Sequence, residues 1–70
     1  MTIEVGQIYK HYLTKNKTII TYIDSDAVTI VQSNGKSYKV DDYIIDNWYE
    51  FIAEYPTWQE AVNSKEFRDD

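Results

Sequence analysis

The sequence predicts a mainly β (α+β) fold: a small antiparallel barrel of four or five strands over residues 1–55, followed by a C-terminal helix over 57–68, in one domain spanning 1–70. Three observations lead there. The first forty residues alternate β-branched and aromatic stretches with polar turns, which is strand-and-turn patterning. Asn34-Gly35 sits between two such stretches and is the strongest hairpin signal in the chain. After Pro56, Thr57-Trp58-Gln59-Glu60 has the spacing of a helix capping box.

Val5-Gly6-Gln7-Ile8-Tyr9 opens a first strand that the pattern carries to Leu13, before the polar turn Thr14-Lys15-Asn16-Lys17. Residues 18–24 form a second strand, with Ile20 and Tyr22 on one face and Ile19 and Ile23 on the other. Asp24-Ser25-Asp26 is a turn of residues that hydrogen-bond their own backbone. Residues 27–32 follow with Val28 and Ile30 on one side and Val31 on the other, and Asn34-Gly35 suits a type I′ turn. Lys36-Ser37-Tyr38-Lys39-Val40 then alternates, with Tyr38 and Val40 inward.

Residues 41–55 admit two readings. A continuous helix would align Ile44, Trp48, Phe51 and Tyr55, and would repeat Asp42, Asp46, Glu50 and Glu54 every fourth residue. A strand would alternate Tyr49, Phe51, Ala53 and Tyr55 with Glu50, Ile52 and Glu54. Like charges at i,i+4 oppose the helix, and Tyr, Trp, Phe and Ile favour strand, so a helical turn at 41–46 followed by a strand at 48–53 is preferred. Pro56 ends that segment, because the residue before proline avoids helical geometry. The last helix packs Trp58, Ala61, Val62 and Phe67, and the end Arg68-Asp69-Asp70 frays. Tyr22, Tyr38, Phe51 and Trp58 are the expected aromatic core; Tyr43, Tyr49 and Tyr55 are expected to face a partner.

Seventy residues bury one marginal core, and zero cysteines remove a disulfide framework and a cysteine zinc site. Two Trp, seven Tyr and two Phe supply the missing burial, at roughly 150–250 Å² each. No apolar run approaches the roughly 18 residues of a membrane span, and residues 1–12 lack a signal-peptide apolar core, so a cytoplasmic setting is expected.

Val5-Gly6-Gln7-Ile8-Tyr9, Val28 and Ile30 before Asn34-Gly35, then Val40, Tyr43 and Asn47-Trp48-Tyr49, resemble small SH3-like barrel proteins, many of them accessory proteins of tailed bacteriophages. The resemblance spans residues 5–52 and leaves the last helix outside it. It implies an SH3-like barrel, and a protein of the host cytoplasm that binds and inhibits or redirects one host enzyme or defence component. It rests on turn glycines and aromatic spacing, so it assigns no functional residue.

Catalytic chemistry finds little footing. His11 is the one histidine, without HExxH or His-x-His spacing, and beside Lys10 on a strand it reads as a solvated side chain. A cysteine nucleophile and a glycine-rich phosphate cradle are absent, and Ser25, Ser33, Ser37 and Ser64 sit near turns or on the last helix, where serine usually sits. Asp24/Asp26 and Asp41/Asp42 read as exposed turns and caps rather than as acid/base pairs. The chain is read as non-enzymatic, with no cofactor and no metal.

Charge is more informative. Residues 1–40 hold five lysines against three acids, and residues 41–70 hold nine acids against two cations, so the net −5 divides as +2 and −7. Asp41, Asp42, Asp46, Glu50 and Glu54, lying among Tyr43, Trp48, Tyr49 and Tyr55, have the composition of a contact patch for a basic partner, which the resemblance implies is a host protein with a basic surface. Asp42, Tyr43, Asp46, Trp48, Glu50 and Glu54 are the candidate partner-binding residues. The plainer reading keeps the aromatics as core and the acids as solvating charge. A nucleic-acid-associated module is the alternative, with Lys10, Lys15, Lys17, Lys36 and Lys39 on one surface beside Tyr9 or Tyr38; a pI near 4.6 opposes direct binding. Exposed aromatics also allow self-association.

Overall fold

The computed structural model describes residues 3–68, so the expected fraying of Asp69 and Asp70 lies outside the described residues. Five strands form one antiparallel sheet: β1 (Gln7–His11), β2 (Lys17–Ile23), β3 (Ala27–Gln32), β4 (Ser37–Asp41) and β5 (Tyr49–Glu54). Their order is β4-β3-β2-β1-β5, a meander whose last strand returns to the first. Between β4 and β5 runs a short helix, α1 (Asp42–Trp48); after β5 come α2 (Trp58–Val62) and α3 (Lys65–Arg68). The two end strands are linked by α1, and β4 and β5 are not neighbours in the hydrogen-bonded order.

Both faces of the sheet are covered. On one, Tyr9, Ile20, Val28, Ile30 and Tyr49 pack with Ile45 of α1, joined by Ile3, Val40 and Ile44. On the other, Ile8 and Ile19 pack with Ala61 of α2, and Val62 and Phe67 close over them. Each fully buried Ile contributes roughly 1.5–3 kcal/mol, which matters in a chain this short.

Two bulges redirect side chains. β2 and β3 pair Ile20 with Ile30 but Tyr22 with Thr29, so the alternation slips by one residue between Ile20 and Tyr22. Tyr22, expected beside Ile20 in the core, is thereby turned to the opposite face and exposed, and Ile23 turns with Val28 instead. β1 and β5 pair Ile8 with Ala53 but Tyr9 with Phe51, which places Ile52 and Ala53 against the α2 side.

The other expected core aromatics are also exposed. Tyr38 stands on end strand β4 with no strand beyond it, and Phe51 on end strand β5, meeting Tyr9 edge-on at 5.8 Å. Trp58 opens α2, whose buried residue is Ala61. Tyr49, expected to face a partner, is buried instead, because the α1-to-β5 switch at 48–49 aims it at the Tyr9 cluster.

Turn chemistry explains the boundaries. The first strand stops at His11, and residues 12–15 form the loop: His11 N–H donates to Asn16 O at 2.9 Å and Lys15 N–H to His11 O at 3.0 Å. Lys15 closes it in the left-handed region at φ 67°. The Asn34-Gly35 hairpin forms, but Gly35 alone takes positive φ, 89°, so the turn is not type I′. Asn34 uses its side chain instead, accepting from the Lys36 N–H at 2.9 Å.

The preferred reading of 41–55 holds, with the helix running two residues further than expected. The N-cap half of the expected box forms, with Thr57 Oγ1 accepting from the Glu60 N–H at 3.2 Å, while the Glu60 carboxylate accepts from the Thr57 hydroxyl at 3.3 Å. The single helix expected over 57–68 is instead two. Buried Ser64 interrupts it, donating from Oγ to Ala61 O at 2.6 Å and accepting from the Phe67 N–H at 3.2 Å, which ends one helix and starts the next.

Candidate functional site

The helix–strand switch decides how the candidate residues are distributed. Asp42, Tyr43, Asp46 and Trp48 all lie on α1 and are exposed. Asp42 and Asp46, one turn apart, line a small cleft of about 160 Å³ with Asp24 of the β2–β3 turn. Glu50 and Glu54 do not continue that row. Glu50 stands opposite Lys10 on the face that α2 covers, whereas Glu54 stands opposite Gln7. The expected four-carboxylate ladder is therefore not one surface: helical spacing ends at Trp48 and period-two spacing begins at Tyr49.

Asp46 and Glu54 still act on a common group. Tyr9 is fully buried, its hydroxyl donating to Gln7 Oε1 at 2.7 Å, and Gln7 Oε1 also accepts from the Glu4 N–H at 2.8 Å. Burial, then the negative charges of Asp46 and Glu54, push the Tyr9 phenol up to about 12. Burial likewise raises Tyr49.

The second part of the surface was not foreseen. Because β1 stops at His11, Tyr12 and Leu13 leave the strand and project from the loop, 49% and 73% exposed. The Tyr12 N–H donates to Trp48 O at 3.0 Å, which ties this loop to the end of α1. His11 is no solvated side chain: its Nδ1 accepts from the Leu13 and Thr14 N–H groups at 3.1 and 3.2 Å. The same ring stacks on Trp48, centroids 6.3 Å apart and 18° from parallel, and meets Tyr49 edge-on at 4.9 Å. Trp48 stays 47% exposed on its outer side, and Tyr43 is 56% exposed on α1. The clue to Tyr12 and Leu13 lay in the sequence, since a histidine three residues before polar Thr14 can cap a turn with its ring nitrogen.

Of the lysines nominated for a nucleic-acid surface, Lys10 and Lys17 are cross-strand partners and Lys39 shares their face of the sheet, whereas Lys15 and Lys36 lie in turns. Lys39 bridges Asp24 at 2.8 Å, a hydrogen bond that raises the Lys39 ammonium. Lys10 opposes Glu50, while Lys15 and Lys17 belong to the β1–β2 loop and its exit. Tyr9, nominated for stacking, is inside. Among the described residues no group of three or more His, Cys, Asp or Glu is placed to hold a metal ion, and no helix is long and apolar enough to cross a membrane. Comparison with protein-family models, with curated proteins and with solved structures finds no match.

Proposed function

We propose that this chain is a small protein-binding domain of the SH3-like barrel type, which docks on a basic partner through α1 and the β1–β2 loop. The meander order, with β5 returning to β1 and a short helix leading into it, supports the barrel reading. One observation carries the function: Tyr12 and Leu13 of the β1–β2 loop and Trp48 at the end of α1 are all exposed, the loop being held to α1 by the His11 ring and the Tyr12–Trp48 backbone bond. Large side chains displayed by a rigid support are the usual anchors of an interface. Beside them Tyr43, Asp42 and Asp46 add a further anchor and negative charge, which speeds encounter with a cationic surface. On the resemblance of residues 5–52, the partner is a host protein that becomes inhibited or redirected, with no bond chemistry performed by this chain. Glu50, on the face that α2 covers, and Glu54, at the far end of β5, fall outside the interface. The nucleic-acid reading draws less support, since of its two stacking residues Tyr9 is buried and Tyr38, though exposed, pairs with Ile30 on the face opposite Lys10 and Lys17, and Lys39 is engaged by Asp24.

The test is affinity capture from the native host with tagged wild type, Asp42→Lys/Asp46→Lys, Trp48→Ala and Glu50→Lys. A protein captured by wild type and Glu50→Lys but lost from the other two is the expected result. Equal capture by all four, with each variant folded by circular dichroism, refutes the proposal.

A further inference from the structure

Asn34-Gly35 closes the β3–β4 hairpin, and the same pair has a chemistry of its own. The carboxamide carbon of an asparagine can be attacked by the main-chain nitrogen of the next residue. That step needs a carboxamide folded over the following peptide unit, a next residue whose side chain does not crowd the nitrogen, and access for water. Asn34 meets all three needs. Its Oδ1 accepts from the Lys36 N–H at 2.9 Å, and this bond folds the carboxamide back across the Gly35 peptide unit. Gly35 has no Cβ to crowd its nitrogen. Both residues are exposed at the hairpin tip.

The other three asparagines lack this combination. Lys17 and Trp48 follow Asn16 and Asn47, so a long side chain flanks each nitrogen, and Asn47 also lies inside α1. Asn63 precedes the small residue Ser64, but the fold ties its carboxamide away. Its Nδ2 donates to Gln59 O at 3.1 Å, and its Oδ1 accepts from the Arg68 guanidinium at 3.3 Å. Ser64 is buried, and its N–H donates to Ala61 O at 3.1 Å. The Gly35 N–H is held by one bond, to Gln32 O at 2.9 Å. Exposed hairpin tips open locally at low free energy, so this bond does not shield the nitrogen for long.

We propose that Asn34 is a site of spontaneous deamidation and backbone isomerisation, with water as the co-reactant. The Gly35 nitrogen bonds to Asn34 Cγ, and the carboxamide nitrogen leaves as ammonia, taking the Gly35 proton with it. The product is a cyclic imide. Water then breaks one of the two C–N bonds of that ring. Breaking the new bond gives aspartate at 34; breaking the original peptide bond leaves the chain running through the side-chain carbon, as isoaspartate. Nothing is oxidised or reduced. Either product adds one negative charge to a chain at −5. Their structures differ. Aspartate keeps an oxygen for the Lys36 N–H, now in a charge-assisted bond. Isoaspartate puts an extra carbon into the main chain between Gln32 and Lys36, where the Gln32 N–H bond to Lys36 O at 2.8 Å closes the hairpin. The pairing of β4 with β3 is thereby loosened, and among the described residues β4 has no strand on its other side to hold it.

The test is incubation of the full chain in mildly alkaline buffer, with digestion and mass mapping at intervals; the same chain unfolded in guanidinium chloride sets the clock. In the folded chain, the mass gain of amide-to-acid conversion should be confined to the peptide containing Asn34. It should be larger in heavy-oxygen water, because the new carboxylate oxygen comes from solvent. In the unfolded chain Asn63 should convert as well, since the bonds that hold it are gone. Gly35→Ala should slow conversion at Asn34 by at least about tenfold, its methyl crowding the nitrogen. Asn34→Asp, the aspartate product made directly, should melt above the isoaspartyl form separated by ion exchange. The proposal is overturned by an Asn34 still intact in the folded chain when the unfolded chain has fully converted there, or by faster conversion of another asparagine in the folded chain. A Gly35→Ala variant reacting at the wild-type rate, or aspartyl and isoaspartyl forms that melt alike, overturns it too.

Discussion

Replacing Tyr9 by Phe separates two consequences of burying one phenol. At pH 8 the variant loses the 2.7 Å bond to Gln7, whose Oε1 keeps its 2.8 Å bond from the Glu4 N–H. No buried acceptor is orphaned, so the cost should be that of an ordinary hydrogen bond, about 0.5–1.5 kcal/mol. In alkali the balance reverses. The phenol is pushed from 10.0 to about 12 in the folded chain, by burial first and by Asp46 and Glu54 after it. Above pH 10 the unfolded chain gives up this proton while the folded chain keeps it, so stability present below pH 10 is lost as pH rises toward 12. Two units at 1.36 kcal/mol each amount to about 2.7 kcal/mol, roughly half of it lost by pH 11. Phe has no such proton. Urea unfolding followed by tryptophan fluorescence, at half-unit steps from pH 8 to 11.5, should show wild type the more stable at pH 8 and the Phe variant drawing level or ahead by pH 11. Asp46→Asn in the wild-type background should shrink the alkaline loss, because it removes one charge that raises the phenol. A wild-type advantage that stays constant across the whole range would refute the reasoning.

Backbone and turn substitutions test the same geometry elsewhere. A Cβ on Gly6, at φ 95°, would press against the Tyr55 carbonyl oxygen, just past β5, where the Gly6 carbonyl accepts from the Tyr55 N–H at 3.1 Å. Gly6→Ala should cost more than about 3 kcal/mol, whereas Gly35→Ala, in open space at φ 89°, should cost about 1 kcal/mol; thermal melts would separate them. His11→Ala removes the acceptor of two loop amides and the ring stacked on Trp48, and should cost about 1–2 kcal/mol with a red shift of Trp48 emission. A blue shift or no change would show that the ring does not shield the indole.

The turns and the α1–β5 switch were legible because their signals are local. Asn34-Gly35, Pro56 and the Thr57–Glu60 box act within four residues of themselves, and the propensities that placed a helical turn at 41–46 and a strand at 48–53 are local too. The destination of the aromatics was not legible. A period-two argument places Tyr22 with Ile20, and a single slipped residue reverses it; nothing in Thr21 announces the bulge. Tyr38 and Phe51 failed for another reason: alternation gives a face, but exposure also depends on being on an end strand. The surface at Trp48 was half visible. The aromatics and acids of 42–48 stood out by composition, whereas Tyr12 and Leu13 were hidden inside an apparent strand until His11 turned the chain. The halves of +2 and −7 were correct sums of a linear chain, but folding returned Arg68 to the lysine end.

The central strand β2 has Ile19 in one hydrophobic cluster and Ile20 in the other, so a single peptide unit is the wall between two compartments. The compartments are unequal. One is closed by α1, which is covalently bracketed between β4 and β5; the other is closed by α2 and α3, which join the sheet through β5 and otherwise hold to it by packing and by the hydrogen bond from Lys17 Nζ to Glu66 O. Opening of the α2–α3 flap would uncover Ile8 and Ile19 and leave the Tyr9 cluster intact. The molecule then has two levels of opening, and amide hydrogen exchange would report them as two separate free energies: a lower one for the amides of α2 and α3, and the full unfolding value for β2 and β3.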